Sequence, residues 1–515
     1  MRLLYHSRTR NHAPIEMRLE ALNPKRLFFI TLWTTLGIRF LLAASIPVTG
    51  DEAYFFLWGR HPALGYYDHP PMTGLMLAAL LSVGDALWWL RLPSVLLSSF
   101  IGLGIVYLIK EHDEELAWLT GALYLIVPIS ALNVLITTDT PVILFCFLTV
   151  AAFDLGVRRE RAGWYLLAGL FLGLAMLSKY FAGLLAVALA AYPLVAENRR
   201  RVFTGLLLVV LVSAALFGIN IYWNYNHCLD NFLFNFINRN QGSVPWYTPL
   251  LYLFTLVLVV TPAVAWMLLK QRGKGPRFQP QTRLLLALNL VPYGLLGLLS
   301  FVKVIGLHWL MGFYVFTIML LAMIRGEAAL RFAWRSNLWL TIGLLLPLLI
   351  ALVTPLHLLP LSAEQYKAIV DATRSDWIWE AIEPHARDKE VFTHSYAASS
   401  ELAYQARHPV GVFGQGSFHA REDDRHTHFG KLDGKDFLIF LNDYREPETY
   451  QPYFDAIEYR SIDVRGSKFD IVIGTGFRYP AYREGVLKRI NERFYQIPEG
   501  WPVGACHFKE RYGFP

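Results

Sequence analysis

The sequence predicts a mainly α, polytopic membrane protein, with a bundle of about eleven transmembrane helices followed by a soluble α/β domain outside the membrane. Three observations carry that expectation. Apolar stretches recur at bilayer-crossing length, Lys and Arg concentrate in alternate loops, and the composition turns polar near Leu359. Of the 515 residues, 55% are hydrophobic and 15% aromatic, above the roughly 45–50% apolar content of a soluble chain.

A helix needs about 20 apolar residues to cross a hydrocarbon core of roughly 30 Å. Such stretches lie near 27–48, 87–109, 116–136, 141–157, 163–178, 180–196, 202–222, 248–269, 283–302, 304–324 and 336–358. Those at 141–157 and 163–196 are short or closely joined, which leaves the count open by about one or two.

Orientation follows from the cations. Arg2, Arg8, Arg10, Arg18, Lys25 and Arg26 precede the first stretch. Arg158, Arg159 and Arg161 follow the fourth, and Arg199, Arg200 and Arg201 the sixth. Lys270, Arg272, Lys274, Arg277 and Arg283 come next, then Arg325, Arg331 and Arg335. A cytoplasmic N-terminus makes all these loops cytoplasmic and puts the C-terminal part outside. The formal charge of +7 then reports topology and calls for no nucleic-acid partner. The first stretch is long and lacks a small-residue cleavage site, so it reads as a span rather than a cleaved signal peptide.

Residues 1–359 thus form the membrane domain and 360–515 a soluble one, long enough for a single core. The runs 436–441 and 469–474 read as buried strands, and 396–406 and 481–494 as helices. The cysteines carry little. Cys146 lies within a span, while Cys228 and Cys506 both fall outside, where a disulfide between them is one option. No zinc-type cysteine spacing is present.

The outer loops hold the chemistry. The first carries Asp51, Glu52, Arg60, Asp68 and His69; the next carries Thr137-Thr138-Asp139-Thr140-Pro141. Lys179, then Trp223-Asn224 with His227 and Arg239, then Lys303 with His308 and Trp309 follow on the same side. Acids there can share a divalent metal, with Asp51, Asp139 and His69 as its ligands, or one can serve as a general base. Cations at the interface suit a phosphate leaving group whose lipid tail sits between helices. The combination predicts transfer of a group from a polyprenyl phosphate to an acceptor hydroxyl. Asp51 is then the base, with Glu52 and Asp139 beside it, and His69, Lys179, Arg239 and Lys303 hold the phosphate. Tyr67, Asp68, Trp223, Asn224 and His308 complete the substrate contacts.

Each of these residues also has a plainer reading. Asp51, Glu52 and Asp139 suit helix N-termini. Asp68-His69-Pro70-Pro71 suits a turn into a helix. Lys179 can snorkel from a span end. Arg39, mid-span, must face the protein interior and find partners there. His394, His419, His426 and His428 fit no tight ligand pattern and read as solvated surface histidines.

In order along the chain, Gly50-Asp51-Glu52-Ala53-Tyr54, Tyr66-Tyr67-Asp68-His69-Pro70-Pro71-Met72, Arg91-Leu92-Pro93-Ser94 and Thr138-Asp139-Thr140-Pro141 form a familiar series. Leu177-Ser178-Lys179-Tyr180, Trp223-Asn224 with Arg239, His308-Trp309, Ser395-Tyr396-Ala397 and Glu401-Leu402-Ala403-Tyr404 extend it. The set resembles the bacterial proteins of glycosyltransferase families 39 and 83, the protein-mannosyltransferase and aminoarabinose-transferase-like GT-C superfamily. The resemblance implies a GT-C transmembrane catalytic domain with juxtamembrane helices in its outer loops. It implies a multi-pass protein of the bacterial inner membrane, with a periplasmic C-terminal domain. It further implies a polyprenyl-phosphate sugar donor, inversion at the anomeric carbon, Asp51 as the base, Asp139 in the same site, and a divalent metal in part of the superfamily.

One departure matters. The aminoarabinose transferases tend to carry Lys before the Pro-Pro pair, where this chain has His69. A histidine is not a fixed cation, so aminoarabinose is not favoured, and galacturonic acid or mannose comes closer. The expected acceptor is lipid A, lipopolysaccharide or another envelope glycan, with protein hydroxyls behind them and membrane lipids around the site. The rival readings are a transporter or flippase of lipid-linked sugars, which calls for inverted repeats and midplane charges, and a non-catalytic envelope assembly factor.

Overall fold

The computed structural model describes residues 22–240, 244–270, 280–443 and 445–515. Arg2, Arg8, Arg10, Arg18, Arg272, Lys274 and Arg277, used above for orientation, lie outside the described residues. The described chain is mainly helical, with one small sheet near its C-terminal end.

Six described helices are long and apolar enough to cross a membrane: Pro24–Ser45, Leu87–Ile109, Asp139–Arg159, Arg199–Tyr225, Pro280–Leu299 and Glu327–Val353. Thr248–Val260 and Pro262–Leu269 make a seventh if the pair, bent by 99°, is one span. By this measure about eleven is not reached. Ala162–Met176, Tyr180–Leu194 and Tyr314–Arg325 are apolar but short. Fifteen residues at 1.5 Å each reach only about 22 Å. The stretch at 116–136 stops at Ile126 because Val127 precedes Pro128, and a residue before proline is driven out of the α region.

Local sequence explains the other ends. Asn23 caps the first helix with Pro24 at its first position. Arg39, 0% exposed, donates to the Val95 and Ser130 carbonyls and to Ser99 Oγ. The expected interior partners are present, and all three are neutral. Part of the first outer loop is itself helical. Gly50–Arg60 opens with a capping box in which Thr49 and Glu52 exchange side-chain and backbone hydrogen bonds.

The sheet has the order β2-β1-β3-β5-β4, with β1 at Glu390–Thr393, β2 at Gly411–Val412, β3 at Phe437–Leu441, β4 at Phe454–Val464 and β5 at Ser467–Phe477. Strands β1, β2 and β3 pair in parallel; β5 runs antiparallel to both β3 and β4. Strand β3 is buried throughout. Phe437, Ile439 and Leu441 enter one aromatic-rich core. Leu438 and Phe440 enter another beneath the helices Ala363–Thr373 and Ser375–Ala386. A strand covered on both faces reads as a continuous apolar run, which is how 436–441 was recognised. The helix expected at 396–406 is found at Tyr396–Ala406, and 479–494 is helical with a π turn inside.

Candidate active site

The site is built on the helix Gly50–Arg60, because its first turn holds both acids in fixed but different settings. Asp51 is exposed, and its Oδ1 accepts a hydrogen bond of 2.9 Å from the Tyr396 hydroxyl. Burial and the neighbouring Asp51 carboxylate push the Tyr396 phenol well above its ordinary range, so it stays a donor. Glu401, one turn further along the Tyr396–Ala406 helix, is raised to about 8 by burial, then by Asp371 and Asp51.

Glu52 faces the opposite way. Its side chain and that of Arg91 are both 0% exposed. Arg91 Nε donates to Oε1 at 2.8 Å and Nη2 to Oε2 at 2.6 Å, the bidentate geometry guanidinium favours. The remaining Arg91 protons reach the Ala43, Ile46 and Pro47 carbonyls. Glu52 Oε1 also accepts from the Ile136 N–H at 3.1 Å. Glu52, expected beside Asp51 in the chemistry, has both carboxylate oxygens engaged by Arg91.

Asp68 and His69 lie together. Asp68 accepts from the Tyr54 hydroxyl at 3.1 Å, and its Oδ2 is 3.6 Å from His69 Nδ1. Asn231 holds this turn, donating to the carbonyls of Tyr66, Tyr67 and His69. Asn231 belongs to a buried amide cluster with Asn220, Asn224 and the Tyr180 hydroxyl. Asn224 is therefore a scaffold for the turn. Trp223 stacks on the His227 ring at 4.4 Å, under the Arg425 guanidinium. Tyr67, read above as a substrate contact, is fully buried. Its hydroxyl accepts from Asn238, and its N–H donates to Glu422 at 2.9 Å.

Asp139, in the first turn of Asp139–Arg159, pairs with Lys179 at 2.8 Å, and both side chains are largely buried. His308 lies in the electrostatic field of Lys179, Asp139, Arg239 and His69. Arg239 and Lys303 both lie over the Trp309 ring, 5.2 and 5.5 Å from its centroid. Burial, with Arg239 beside it, lowers the Lys303 ammonium below its usual range. The two cations open onto a cavity of about 910 Å³, walled mainly by apolar side chains such as Phe181, Leu184, Phe236, Leu295 and Leu299. His419 lines the same cavity and feels Asp68, Arg239, His69 and Asp51. It is exposed, in keeping with the surface reading above, and it lines this cavity as well. His394 is also not free on the surface, since its Nε2 meets the Tyr450 hydroxyl at 2.6 Å.

Asp51, Asp139 and His69 do not form a set of mutually close donor atoms. Among the described residues, the set with all donor atoms within 4.8 Å of one another is Cys228, Asp230 and His507. Tyr396 falls in the Ser395-Tyr396-Ala397 segment of the family series but was not singled out for this site, and His419 carries no local motif that marks it. Asn231 is equally silent, one amide among several in 220–240.

Residues 68–223 match the family model described as dolichyl-phosphate-mannose-protein mannosyltransferase. That segment takes in Asp68, His69, Asp139, Lys179 and Trp223, with Asp51 just before it. A lipid A galacturonosyltransferase of Rhizobium johnstonii is 29% identical over 220 residues, 42% of this chain and 45% of that protein. The match thus spans less than half of that relative's length. Among solved structures, the oligosaccharyltransferase of Archaeoglobus fulgidus in its apo form aligns with a TM-score of 0.39 at 12% identity, over 75% of this chain and 64% of that one. The same organism's oligosaccharyltransferase AglB, complexed with an inhibitory peptide and a dolichol-phosphate, aligns at 0.38 and 11%, over 85% and 74%. Likeness at that level carries no argument about ligands. The match over residues 68–223 and the likeness to the Rhizobium protein together support a GT-C glycosyltransferase family for this chain.

Proposed function

We propose that this protein moves a sugar from a polyprenyl-phosphate donor to an envelope acceptor at the outer face of the bacterial inner membrane. The observation that carries the reading is the cavity, which is apolar along its length and bears Arg239 and Lys303 stacked on Trp309. A phosphate with a long hydrocarbon tail matches both parts. In this reading the tail lies between Leu184 and Leu299, the phosphate meets the two cations, and the sugar points toward Asp51, Asp68 and His419. An acceptor hydroxyl gives its proton to an Asp51 oxygen as its own oxygen attacks the anomeric carbon. The bond from that carbon to the phosphate oxygen breaks, and the electron pair leaves with the phosphate, where fixed positive charge stabilises it. Attack opposite the leaving group inverts the anomeric centre.

Asp139 already has a cation in Lys179, so the pair serves as a fixed dipole beside His308, and no step here is routed through a metal. The name of the Rhizobium relative and His69 before Pro70-Pro71 make galacturonic acid on lipid A the first donor and acceptor to test. A transporter needs uncommitted charge near the bilayer midplane, whereas Arg39 is consumed by carbonyls and a hydroxyl. Mass spectrometry of lipid A and core glycan decides the matter, comparing wild type, a deletion and the deletion carrying Asp51→Asn. A sugar-sized mass absent from both deletion strains supports the reading. Full restoration by Asp51→Asn would remove Asp51 from the mechanism.

A further inference from the structure

A carboxylate buried without a partner is costly, and Asp230 is such a group. It is 0% exposed, and neither of its oxygens has a hydrogen-bond partner. Its donor atom lies within 4.8 Å of both Cys228 Sγ and a ring nitrogen of His507. His507 Nδ1 is 3.5 Å from Cys228 Sγ, and its Nε2 is buried and likewise unpartnered. Cys228 is joined to Cys506, whose sulfur is thus adjacent to this set without belonging to it. One sulfur, one imidazole and one carboxylate therefore face one another around a buried centre that none of the chemistry above uses.

We propose that Cys228, Cys506, Asp230 and His507 form a zinc-class metal site when the two cysteines are reduced, the disulfide being its metal-free alternative. Zinc takes four ligands of this kind in tetrahedral geometry, and thiolate with imidazole selects it over hard cations. A disulfide sulfur has no anionic charge to offer, so bond and metal exclude each other. A dithiol or phosphine reductant supplies two electrons, and two protons are taken up, to give two thiols. Zinc then displaces both thiol protons. A disulfide-forming oxidant reverses the sequence, taking two electrons as the metal leaves.

The framework does not depend on the sulfur bond. The Cys228 N–H donates to the Ala505 carbonyl at 3.0 Å, and the Gly504 N–H to the Tyr225 carbonyl at 2.8 Å. Reduction therefore leaves the two segments side by side, with the Cys506 sulfur free to turn toward Cys228, Asp230 and His507. Asp230 directly precedes Asn231, whose amide holds the Tyr66–His69 turn. The metal or the disulfide thus fastens the C-terminal segment to the element that supports the candidate active site.

The test uses full-length protein in detergent, prepared with the disulfide intact and after phosphine reduction. Each form is equilibrated with zinc chloride, gel-filtered and analysed for metal. The expected result is one more zinc per chain in the reduced form, with thiolate charge-transfer absorption when cobalt(II) replaces zinc. Asp230→Asn and His507→Gln are each expected to lose that increment, and a Cys228→Ser/Cys506→Ser pair to lose it entirely. Equal zinc in both redox forms would overturn the proposal, and so would an increment that survives Asp230→Asn. The comparison of the two wild-type forms needs no variant to fold. Metal at Asp51, Asp139 or His69 would appear equally in both and cancels.

Discussion

Replacing Glu52 with glutamine separates a residue that reacts from one that holds. Arg91 and Glu52 are sealed from solvent and joined by two short hydrogen bonds. Glutamine keeps one oxygen for one Arg91 proton. It turns the other position into an NH2 facing Arg91 Nη2 and the Thr49 N–H, which had both been donating to Oε2. The guanidinium is then a buried cation with no counter-charge, met only by the glutamine oxygen and the Ala43, Ile46 and Pro47 carbonyls. Breaking a buried pair by removing one partner costs about 3–5 kcal/mol. Glu52→Gln is therefore expected to lower the thermal midpoint of the detergent-solubilised protein sharply, and to lose transfer in proportion to folded protein lost. A Glu52→Met/Arg91→Met double variant removes both charges and is expected to be more stable than Glu52→Gln. The assay pairs a thermal-unfolding midpoint with transfer measured per folded molecule. Unchanged stability together with abolished transfer would refute this reasoning and return Glu52 to the chemistry.

Other outcomes follow from the same geometry. Tyr396→Phe removes the hydrogen bond to Asp51, worth about 1–2 kcal/mol to a charged acceptor, and is expected to lower kcat roughly 5- to 30-fold with little change in donor KM. Arg239→Ala and Lys303→Ala are each expected to raise donor KM by about tenfold or more, whereas a loss confined to kcat would place the phosphate elsewhere. Glu401 stays protonated in the folded protein up to about 8 but ionises near 4.5 once unfolded. The unfolded state thus binds fewer protons between those values, so stability falls as pH rises through that window, by up to about 1.4 kcal/mol per pH unit. Glu401→Gln should flatten that slope in thermal midpoints taken from pH 5 to 8, and an unchanged slope would assign it to another group.

Local pattern revealed what local physics decides. Strand β3 was legible because burial on both faces leaves no polar residue in 437–441, and the helix at 396–406 because Ser395 is a good cap. Asp51 was legible as an acid at a span end, and Arg39 as a charge that must turn inward. The partner of Glu52, by contrast, lies 39 positions away, and no periodicity joins Glu52 to Arg91. The same holds for Asn231 and the Tyr66–His69 turn, about 160 positions apart. Span count was less legible for a related reason. Hydropathy records how apolar a stretch is and not where its backbone breaks, as it does at Val127 and at Thr261, where φ is +74°.

The hydrogen bond from Tyr396 to Asp51 crosses from the sheet-bearing part of the chain to its membrane part, spanning 345 positions. The proton acceptor proposed here, with a neighbour supplied from so far along the chain, is incomplete until synthesis has passed residue 396. The membrane half, once inserted, thus waits on translation and translocation of the rest before it can be armed. A premature stop anywhere before that tyrosine should yield an inserted but inert protein.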